Sequence, residues 1–415
     1  MVTVSFVSDA GAVAEPPGRD GVARLTARGL LEGTAARNGD ALTESLERLG
    51  ASMEADAEWD SGILATTVLS SRLSDAMALV AEVIREPALP ERELERLKAE
   101  RLAEILQRRA EPRGLADEMF ARFLYASDSR YALPDGGTES SVTAIERADV
   151  VGFHAARYRP GSTTAIIVGD VTIEDALRVM RTRFESWRSQ RAEPVEADDR
   201  PARRTRAVHL VEKADAPQSE LRIGHVGLPR THPDYFAALV MNMLLGGLFS
   251  SRINLNLREA HGYTYGAFSA FDWRRQAGPF VVASAVRSDV TAAAAAEVLK
   301  EIERMRSEKV SAEELSLATS YLEGVFPIRY ETTAAIARAL TAMVVYGLPA
   351  DYFDTYRDRV HAVSAPDVLR AARDFLHPEE LQLVAVGDPA VIREPLAAID
   401  LGPLQTYDAT GNSRR

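Results

Sequence analysis

The chain has 415 residues, and its 49 lysines and arginines against 61 aspartates and glutamates give a formal net charge of −12. This length favours two or more domains, and a hydrophobic content of 46% excludes disorder for the bulk of the chain. The acidic balance argues against a nucleic-acid partner, which needs a basic face. The lack of cysteine excludes disulfides, thiolate zinc sites and a cysteine nucleophile, and it leaves the compartment unassigned between cytoplasm and periplasm.

The first residues predict a strand, because Val2, Val4 and Phe6 recur at every second position. No basic region followed by an apolar run marks a signal peptide there. A domain rarely begins on a core strand, so we expect a truncated start. The longest apolar run, residues 236–249, is shorter than the roughly 18 residues that a membrane span needs. We therefore predict a buried helix there and no membrane span.

An internal repeat organises the chain. Residues 142–171 align without a gap with residues 360–389, at an offset of 218. Both copies predict a helix, a turn at a proline and a strand that ends in Gly-Asp. A looser match relates residues 30–33 to residues 244–247, at an offset of 214. Two copies of one domain explain both matches.

The repeat predicts a first domain over residues 1–187, a linker over 188–206 and a second domain over 207–415. The linker is polar, contains two prolines and lacks hydrophobic periodicity. Within each copy, strands with alternating apolar residues stand among helices, as at 279–288, without a regular βαβα order. The predicted fold class is α+β: two tandem homologous domains, each a mainly antiparallel sheet with helices packed on one face.

The usual catalytic motifs are absent from the sequence. None of the seven histidines lies in the first 153 residues, and neither HExxH nor HxxEH occurs. A GxSxG motif and a P-loop are also missing. The residues alone therefore give no complete catalytic constellation.

Segments in both copies carry a family resemblance. GRDGVARLTARGLLEGTAARNGDALTESLERLGASMEA (18–55) resembles the opening region of the pitrilysin/insulinase family of zinc peptidases. In the second copy, Gln218, LLGG–SSR (244–252) and LREAHGYTYG (257–266) resemble that family's carboxy-terminal domain. The resemblance covers nearly the whole chain. It implies one half of a closed chamber, which the family builds from four such domains.

The resemblance also assigns a degenerate metal site. It places Arg24 and Arg28 on the two zinc-binding histidines of the family's HxxEH helix, and Ala27 on the catalytic glutamate. Glu104 falls on the third zinc ligand. Arginine cannot ligate a metal and alanine cannot act as a base, so we expect no metal in this chain. Two guanidiniums one turn apart would repel each other, so we predict that Glu104 bonds to Arg28, Arg24 or both and that an ion pair occupies the former zinc site. The alternative, which residue type alone favours, is that the arginines are exposed cations of an amphipathic helix.

The second copy retains a pair that matches a family feature. Family members present an arginine and, seven residues later, a tyrosine to the peptide carbonyl under attack, and Arg258 and Tyr265 have this spacing. A cation and a phenol donor would stabilise the developing oxyanion. The structural alternative is an ordinary helix end, with Gly262 as its C-cap and Tyr265 opening an edge strand.

A chain without the metal motif but with the arginine–tyrosine pair resembles the non-catalytic subunit of the family's two-chain bacterial members. The resemblance implies a heterodimeric zinc-dependent endopeptidase that cleaves peptides, with zinc in an HxxEH-bearing partner subunit. The main alternative is a scaffold without peptidase activity, like the related core proteins of respiratory complexes. A peptide-binding module without cleavage also stays open, and the lack of early histidines disfavours a self-sufficient hydrolase. Without a partner, we expect a homodimer.

Overall fold

The structure is a computed structural model that describes residues 1–399 and 401–414. Two compact units divide the chain, and each is assembled from separate stretches. Unit 1 comprises Met1–Ile105, Pro134–Glu196 and Phe326–Ala350. Unit 2 comprises Leu106–Leu133, Ala197–Val325 and the residues from Asp351 onward.

Strands stand among runs of helices in both halves of the chain. The strands are β1 (Val2–Ser8), β2 (Ser52–Ala57), β3 (Gly62–Val68), β4 (Thr163–Gly169), β5 (Ala207–Glu212), β6 (Gln218–Val226), β7 (Ala267–Phe271), β8 (Pro279–Arg287), β9 (Gln382–Gly387), β10 (Leu404–Tyr407) and β11 (Ser413–Arg414). The helices are α1 (Val22–Gly29), α2 (Gly39–Leu49), α3 (Leu73–Arg85), α4 (Glu91–Ala110), α5 (Pro112–Leu124), α6 (Glu139–Ala144), α7 (Arg147–Arg157), α8 (Ile173–Phe184), α9 (Tyr235–Asn242), α10 (Arg252–Asn254), α11 (Thr291–Ser307), α12 (Ala312–Arg329), α13 (Thr333–Tyr346), α14 (Tyr352–His361), α15 (Ala365–Phe375) and α16 (Pro389–Ala398). Two π-helical turns, Met243–Gly247 and Leu255–Ala260, extend α9 and α10.

The sheet of unit 1 has four antiparallel strands in the order β2-β3-β1-β4. Every residue of β1 is buried, because the strand pairs on both sides. Its Val2, Val4 and Phe6 join the core that α1, α3 and α7 build on one face. The predicted alternation at the chain start therefore marks a central strand of the sheet.

Helix α13 covers part of the other face of this sheet. Val7 of β1 packs with Ala337 and Val345 of the helix, and Thr3 Oγ1 lies 2.8 Å from Thr333 Oγ1. Except for the buried Ala57, the side chains of β2 are partly or fully exposed, and every second side chain of β3 is partly exposed. An open polar strip therefore remains beside the edge strand β2.

The sheet of unit 2 has seven strands in the order β11-β10-β5-β9-β6-β8-β7. Strand β5 pairs in parallel with β9 and β10, and the other pairings are antiparallel. Helix α5, from the first half of the sequence, packs against β6 and β9. The α+β prediction of two homologous, mainly antiparallel domains is confirmed, and each sheet additionally carries one helix from the other half of the chain.

The two copies of the repeat adopt the same local structure. In the first copy, α7 leads past Pro160 into β4, and in the second copy α15 leads past Pro378 into β9. The predicted order of helix, proline turn and strand is confirmed in both.

Within the described residues, one stretch is long and apolar enough to cross a membrane by length and composition. It runs from Tyr235 to Ala260 with a mean hydropathy of 1.5, and 61% of it is buried inside the protein. Its Ala238, Val240 and Met241 are fully buried in unit 2. This burial supports the predicted core helix.

Candidate functional site

Helix α1 carries Arg24, Ala27 and Arg28, the residues that the family resemblance assigns to a degenerate metal site. It begins after Gly21, whose φ of 100° is a left-handed conformation that favours glycine. A Cβ atom at Gly21 would lie 2.8 Å from the carbonyl oxygen of Gly136, so the loop around Gly136 packs directly against the start of the helix. This close approach brings Asp135 beside Arg24.

Arg24 is held by three acceptors. Its Nε donates to Asp56 Oδ1 at 3.1 Å, and its Nη2 donates to Asp135 Oδ2 at 3.0 Å and to the carbonyl oxygen of Ala57 at 3.3 Å. Only 16% of the Arg24 side chain is exposed. The guanidinium therefore ties α1 to the edge strand β2 and to the loop around Asp135.

Glu104 lies between two arginines. Arg28 Nη1 donates to its Oε1 at 3.1 Å, and Arg101 Nη1 donates to its Oε2 at 3.0 Å. Arg101 is almost fully buried, and its Nε also donates to the carbonyl oxygen of Gly136 at 2.9 Å. The expected bond between Glu104 and an arginine of α1 is confirmed for Arg28, whereas Arg24 bonds to the two aspartates instead.

The two guanidiniums control the ionisation of Glu104. Partial burial acts to raise its pKa, but the hydrogen bonds from Arg101 and Arg28 outweigh that effect and hold the pKa below its usual range. Burial lowers the pKa of Arg101, and its bond to Glu104 opposes this shift. The carboxylate is therefore ionised and paired at neutral pH.

These residues do not fit a zinc ion. Arg24 and Arg28 cannot ligate a metal, and Ala27 is fully buried in the apolar core of unit 1, where it offers no base. Among residues 1–399 and 401–414, no three His, Cys, Asp or Glu side chains form a group that could hold a metal. The arrangement is an ion-pair network that ties α1, α4 and their neighbouring loops together.

A groove of about 530 Å³, lined by both polar and apolar side chains, lies beside this network in unit 1. It follows the open strip of the sheet, with Arg28 and Asp56 on one side and Arg338 of α13 on the other. Hydroxyls of Thr3 and Thr67, 2.9 Å apart, lie on the sheet beneath it. The groove offers charged and hydroxyl groups to an extended ligand.

Arg258 lies on the π-helical turn Leu255–Ala260 in unit 2. The turn ends at Gly262, which has a φ of 64° and whose N–H donates to the carbonyl oxygen of Arg258 at 3.1 Å. The helix end expected at Gly262 is present. The edge strand β7 begins two residues after Tyr265, so Tyr265 lies in the link between helix end and strand.

Arg258 and Tyr265 present their polar groups to solvent. Arg258 is 35% exposed, with its Nε 3.5 Å from Glu259 Oε1 and its Cζ 4.5 Å from the ring centre of Phe249. Tyr265 is 91% exposed, and no hydrogen bond to its hydroxyl occurs in the part of the chain that the structure describes. An exposed tyrosine without a packing role is free to contact a ligand.

Tyr265 borders a hollow of about 720 Å³ in unit 2. Phe249 and Phe268, also exposed, line the same hollow, as does Gln218. At its base the buried Arg222 donates from Nε to Asp117 Oδ1 of α5 at 2.6 Å and from Nη1 to Glu220 Oε2 at 2.9 Å. The hollow thus combines aromatic walls with a charge-paired base.

Three residues of these sites escaped the sequence reasoning. Asp135 and Arg101 complete the ion-pair network, but neither belongs to a motif, and the loop of Asp135 is distant from α1 in sequence. Phe249 lies inside the segment LLGG–SSR, and a large apolar residue between glycines and serines was a usable sign of exposure.

Two family models match the chain. Insulinase (Peptidase family M16) matches residues 1–129, and Peptidase M16 inactive domain matches residues 144–322.

Several bacterial proteins are similar to this chain over most of its length. An uncharacterized zinc protease of Rickettsia bellii is 23% identical over 334 residues, which cover 80% of this chain and 79% of that relative. An uncharacterized zinc protease of Streptomyces coelicolor is 24% identical over 383 residues, covering 90% and 82% of the two chains. A crystal structure of a peptidase M16 inactive domain from Pseudomonas fluorescens superposes with a TM-score of 0.87 at 26% identity, covering 93% of each chain.

Proposed function

The chain belongs to the insulinase family of peptidases, M16, and from this membership we propose that it is the non-catalytic subunit of a two-chain zinc endopeptidase. In this role it completes a peptide-binding chamber and contributes Arg258 and Tyr265 to the carbonyl under attack. An HxxEH-bearing partner subunit supplies the zinc ion, its ligands and the general base. Peptides or small unfolded proteins are the substrates.

The exposure of Tyr265 is the observation that carries this proposal. The tyrosine is 91% exposed beside a hollow large enough for peptide side chains, and it follows Arg258 at the family's spacing. A phenol O–H and a guanidinium can both donate to an oxyanion, and such donors stabilise the transition state of acyl transfer. A helix end alone would not require an exposed aromatic residue there.

The ion-pair network supports the non-catalytic part of the proposal. Arg24, Arg28 and Ala27 occupy the positions that the resemblance assigns to two metal ligands and the base. The arginines are bonded to Asp56, Asp135 and Glu104. In this proposal, water activation by zinc is therefore assigned to the partner chain.

Association with the partner is the first test. The HxxEH-bearing chain that co-purifies with this protein from its native source should be mixed with it and examined by light scattering. We expect a complex with one copy of each chain and, with zinc, cleavage of quenched fluorescent peptides. No increase in mass on mixing would contradict the proposal, and a homodimer in its place would favour self-association.

The second test removes the two donors in the assembled pair. Arg258→Ala and Tyr265→Phe should each lower kcat by about 10²–10³, the cost of losing one oxyanion donor, while the complex still forms. Arg393→Ala and Tyr321→Phe, exposed residues outside the hollow, serve as matched controls. If Arg258→Ala and Tyr265→Phe both keep rates within about twofold of wild type, the scaffold alternative is favoured, because a scaffold requires neither donor.

A further inference from the structure

Phe249 occupies an unusual place for a phenylalanine. Its side chain is 68% exposed, in the link between the π-helical turn Met243–Gly247 and α10. Burial in the core therefore does not explain it. Its ring instead lies under the guanidinium of Arg258, with Cζ 4.5 Å from the ring centre, which is a cation–π distance.

One buried side chain fixes the loop that carries this ring. Asn254, 3% exposed, donates from Nδ2 to the carbonyl oxygen of Phe249 at 2.6 Å, and its Oδ1 accepts from the N–H of Ala267 at 3.0 Å. Ala267 begins β7, two residues after Tyr265. The amide thus ties the Phe249 loop to the strand start that follows Tyr265, and Arg258 lies one helical turn beyond Asn254.

Among the described residues, the Arg258 side chain makes one ion pair and no hydrogen bond. Its ion pair within the described residues is with the neighbouring Glu259, at 3.5 Å, and Glu259 is itself 56% exposed. An arginine side chain has a long flexible stem, and stacking on an aromatic face is a common way to orient the guanidinium plane. The Phe249 ring is the one rigid surface described against this guanidinium.

We propose that Phe249 is a positioning residue that holds the Arg258 guanidinium in place for substrate. This proposal rests on the function proposed above, in which Arg258 and Tyr265 contact the same carbonyl. The ring limits the orientations that the guanidinium can adopt. The Asn254 amide holds the Phe249 loop at a fixed position relative to the link that carries Tyr265. Arg258 then donates without first losing side-chain freedom, which raises the fraction of productive complexes.

A double-mutant cycle in the assembled pair tests whether the ring acts through Arg258. Phe249→Leu should lower kcat/KM about two- to fivefold, the effect of an exposed cation–π contact. The same change should have no further effect in the Arg258→Ala background, and Phe249→Tyr should restore activity. An equal loss in both backgrounds would overturn the proposal in favour of direct contact with substrate, and no loss in either would also overturn it.

A spectroscopic test separates this proposal from the proposed function. In the isolated chain with ¹⁵N-labelled arginine, the Arg258 Nε–H resonance can be assigned from its loss in Arg258→Lys. Phe249→Leu should shift this resonance because the ring current is removed, whereas Tyr321→Leu, which removes an exposed aromatic ring outside the hollow, should not. An unmoved resonance overturns the positioning role. If the resonance moves but Arg258→Ala leaves activity intact, the proposed function fails and the stacking stands.

Discussion

At the residue scale, the charges around α1 balance one another. Arg24 bonds to Asp56 and Asp135, and Arg28 shares Glu104 with Arg101. Two arginines one turn apart on a helix would repel each other without these carboxylates. Arg24, Arg28 and Glu104 therefore serve to join α1, α4 and their loops.

Removing Glu104 should destabilise unit 1 moderately. Its side chain is 41% exposed, but one of its partners, Arg101, is only 5% exposed. Glu104→Ala should therefore cost about 1–2 kcal/mol of unfolding free energy, between an exposed pair and a buried one. Chemical denaturation measures this cost.

Glu100→Ala provides the control for that measurement, because Glu100 lies on the same helix and pairs with Arg96 at a more exposed position. We expect a change under about 0.5 kcal/mol there. Equal losses in the two variants would show that the Glu104 pairs contribute no more than a surface pair.

The Glu104 contribution should depend on pH in one direction. Its pKa in the folded chain lies below the ordinary value of 4.5 because Arg101 and Arg28 bond to it, against the effect of burial. Near pH 4 the unfolded chain therefore binds more protons at Glu104 than the folded chain does. The stabilisation is complete above the ordinary pKa of 4.5 and is lost as the pH falls through the pKa of the folded chain. The difference in stability between wild type and Glu104→Gln should shrink on acidification, and a difference that grows below pH 4.5 would contradict this.

One contact between individual residues, the bond of Arg28 with Glu104, could be predicted from the sequence. This pair was predicted because the family resemblance places both residues on one site, and the structure shows their bond. Asp135 and Arg101 could not be predicted, because their approach depends on a loop held against Gly21, and no local pattern records that packing. The roles of Arg258 and Tyr265 stay predictions.

At the scale of elements, close backbone approach closes the edge of the unit 2 sheet. A Cβ atom at Gly246 would lie 2.4 Å from the backbone nitrogen of Ser269 in the edge strand β7. Asn242 Nδ2 also donates to the carbonyl oxygen of Ser269 at 3.0 Å. The helical segment therefore covers an edge that could otherwise pair with another strand.

Two glycines should respond oppositely to alanine. Gly246→Ala should lose about 1–3 kcal/mol of stability, because the added methyl group overlaps β7 backbone. Gly324, inside α12, has no atom within 4 Å of a built Cβ, so Gly324→Ala should gain about 0.5–1 kcal/mol from helix propensity. Thermal unfolding of both variants checks the pair, and stabilisation by Gly246→Ala would show that the strand contact is looser than described.

The element order was predictable, but the packing of two helices was not. The repeat predicted α7 with β4 and α15 with β9, because those segments are contiguous and share a proline turn. Helices α5 and α13 each pack on the sheet formed largely by the other half of the chain. An amphipathic pattern shows that a helix has an apolar face, but it does not show which sheet covers that face.

At the scale of the whole molecule, the isolated chain should show no peptidase activity, even with added Zn²⁺. The reason is that Ala27 is buried and that Arg24 and Arg28 are bonded to carboxylates, at the positions that the proposed function assigns to a lost zinc site. A panel of quenched peptides, assayed after rigorous purification, measures this. Turnover that co-elutes with the chain and is abolished by a chelator would contradict it.

The placement of α5 also has a consequence for synthesis of the chain on the ribosome. Leu115, Met119 and Phe120 of this helix are buried in the finished protein, yet they are made long before β9, one of the strands that they cover. The interval from Leu124 to Gln382 corresponds to roughly 10–50 s at ordinary translation rates. During that time the apolar face of α5 stays exposed on the nascent chain. This protein should therefore depend on chaperones more than a protein in which each domain is built from one continuous stretch of sequence.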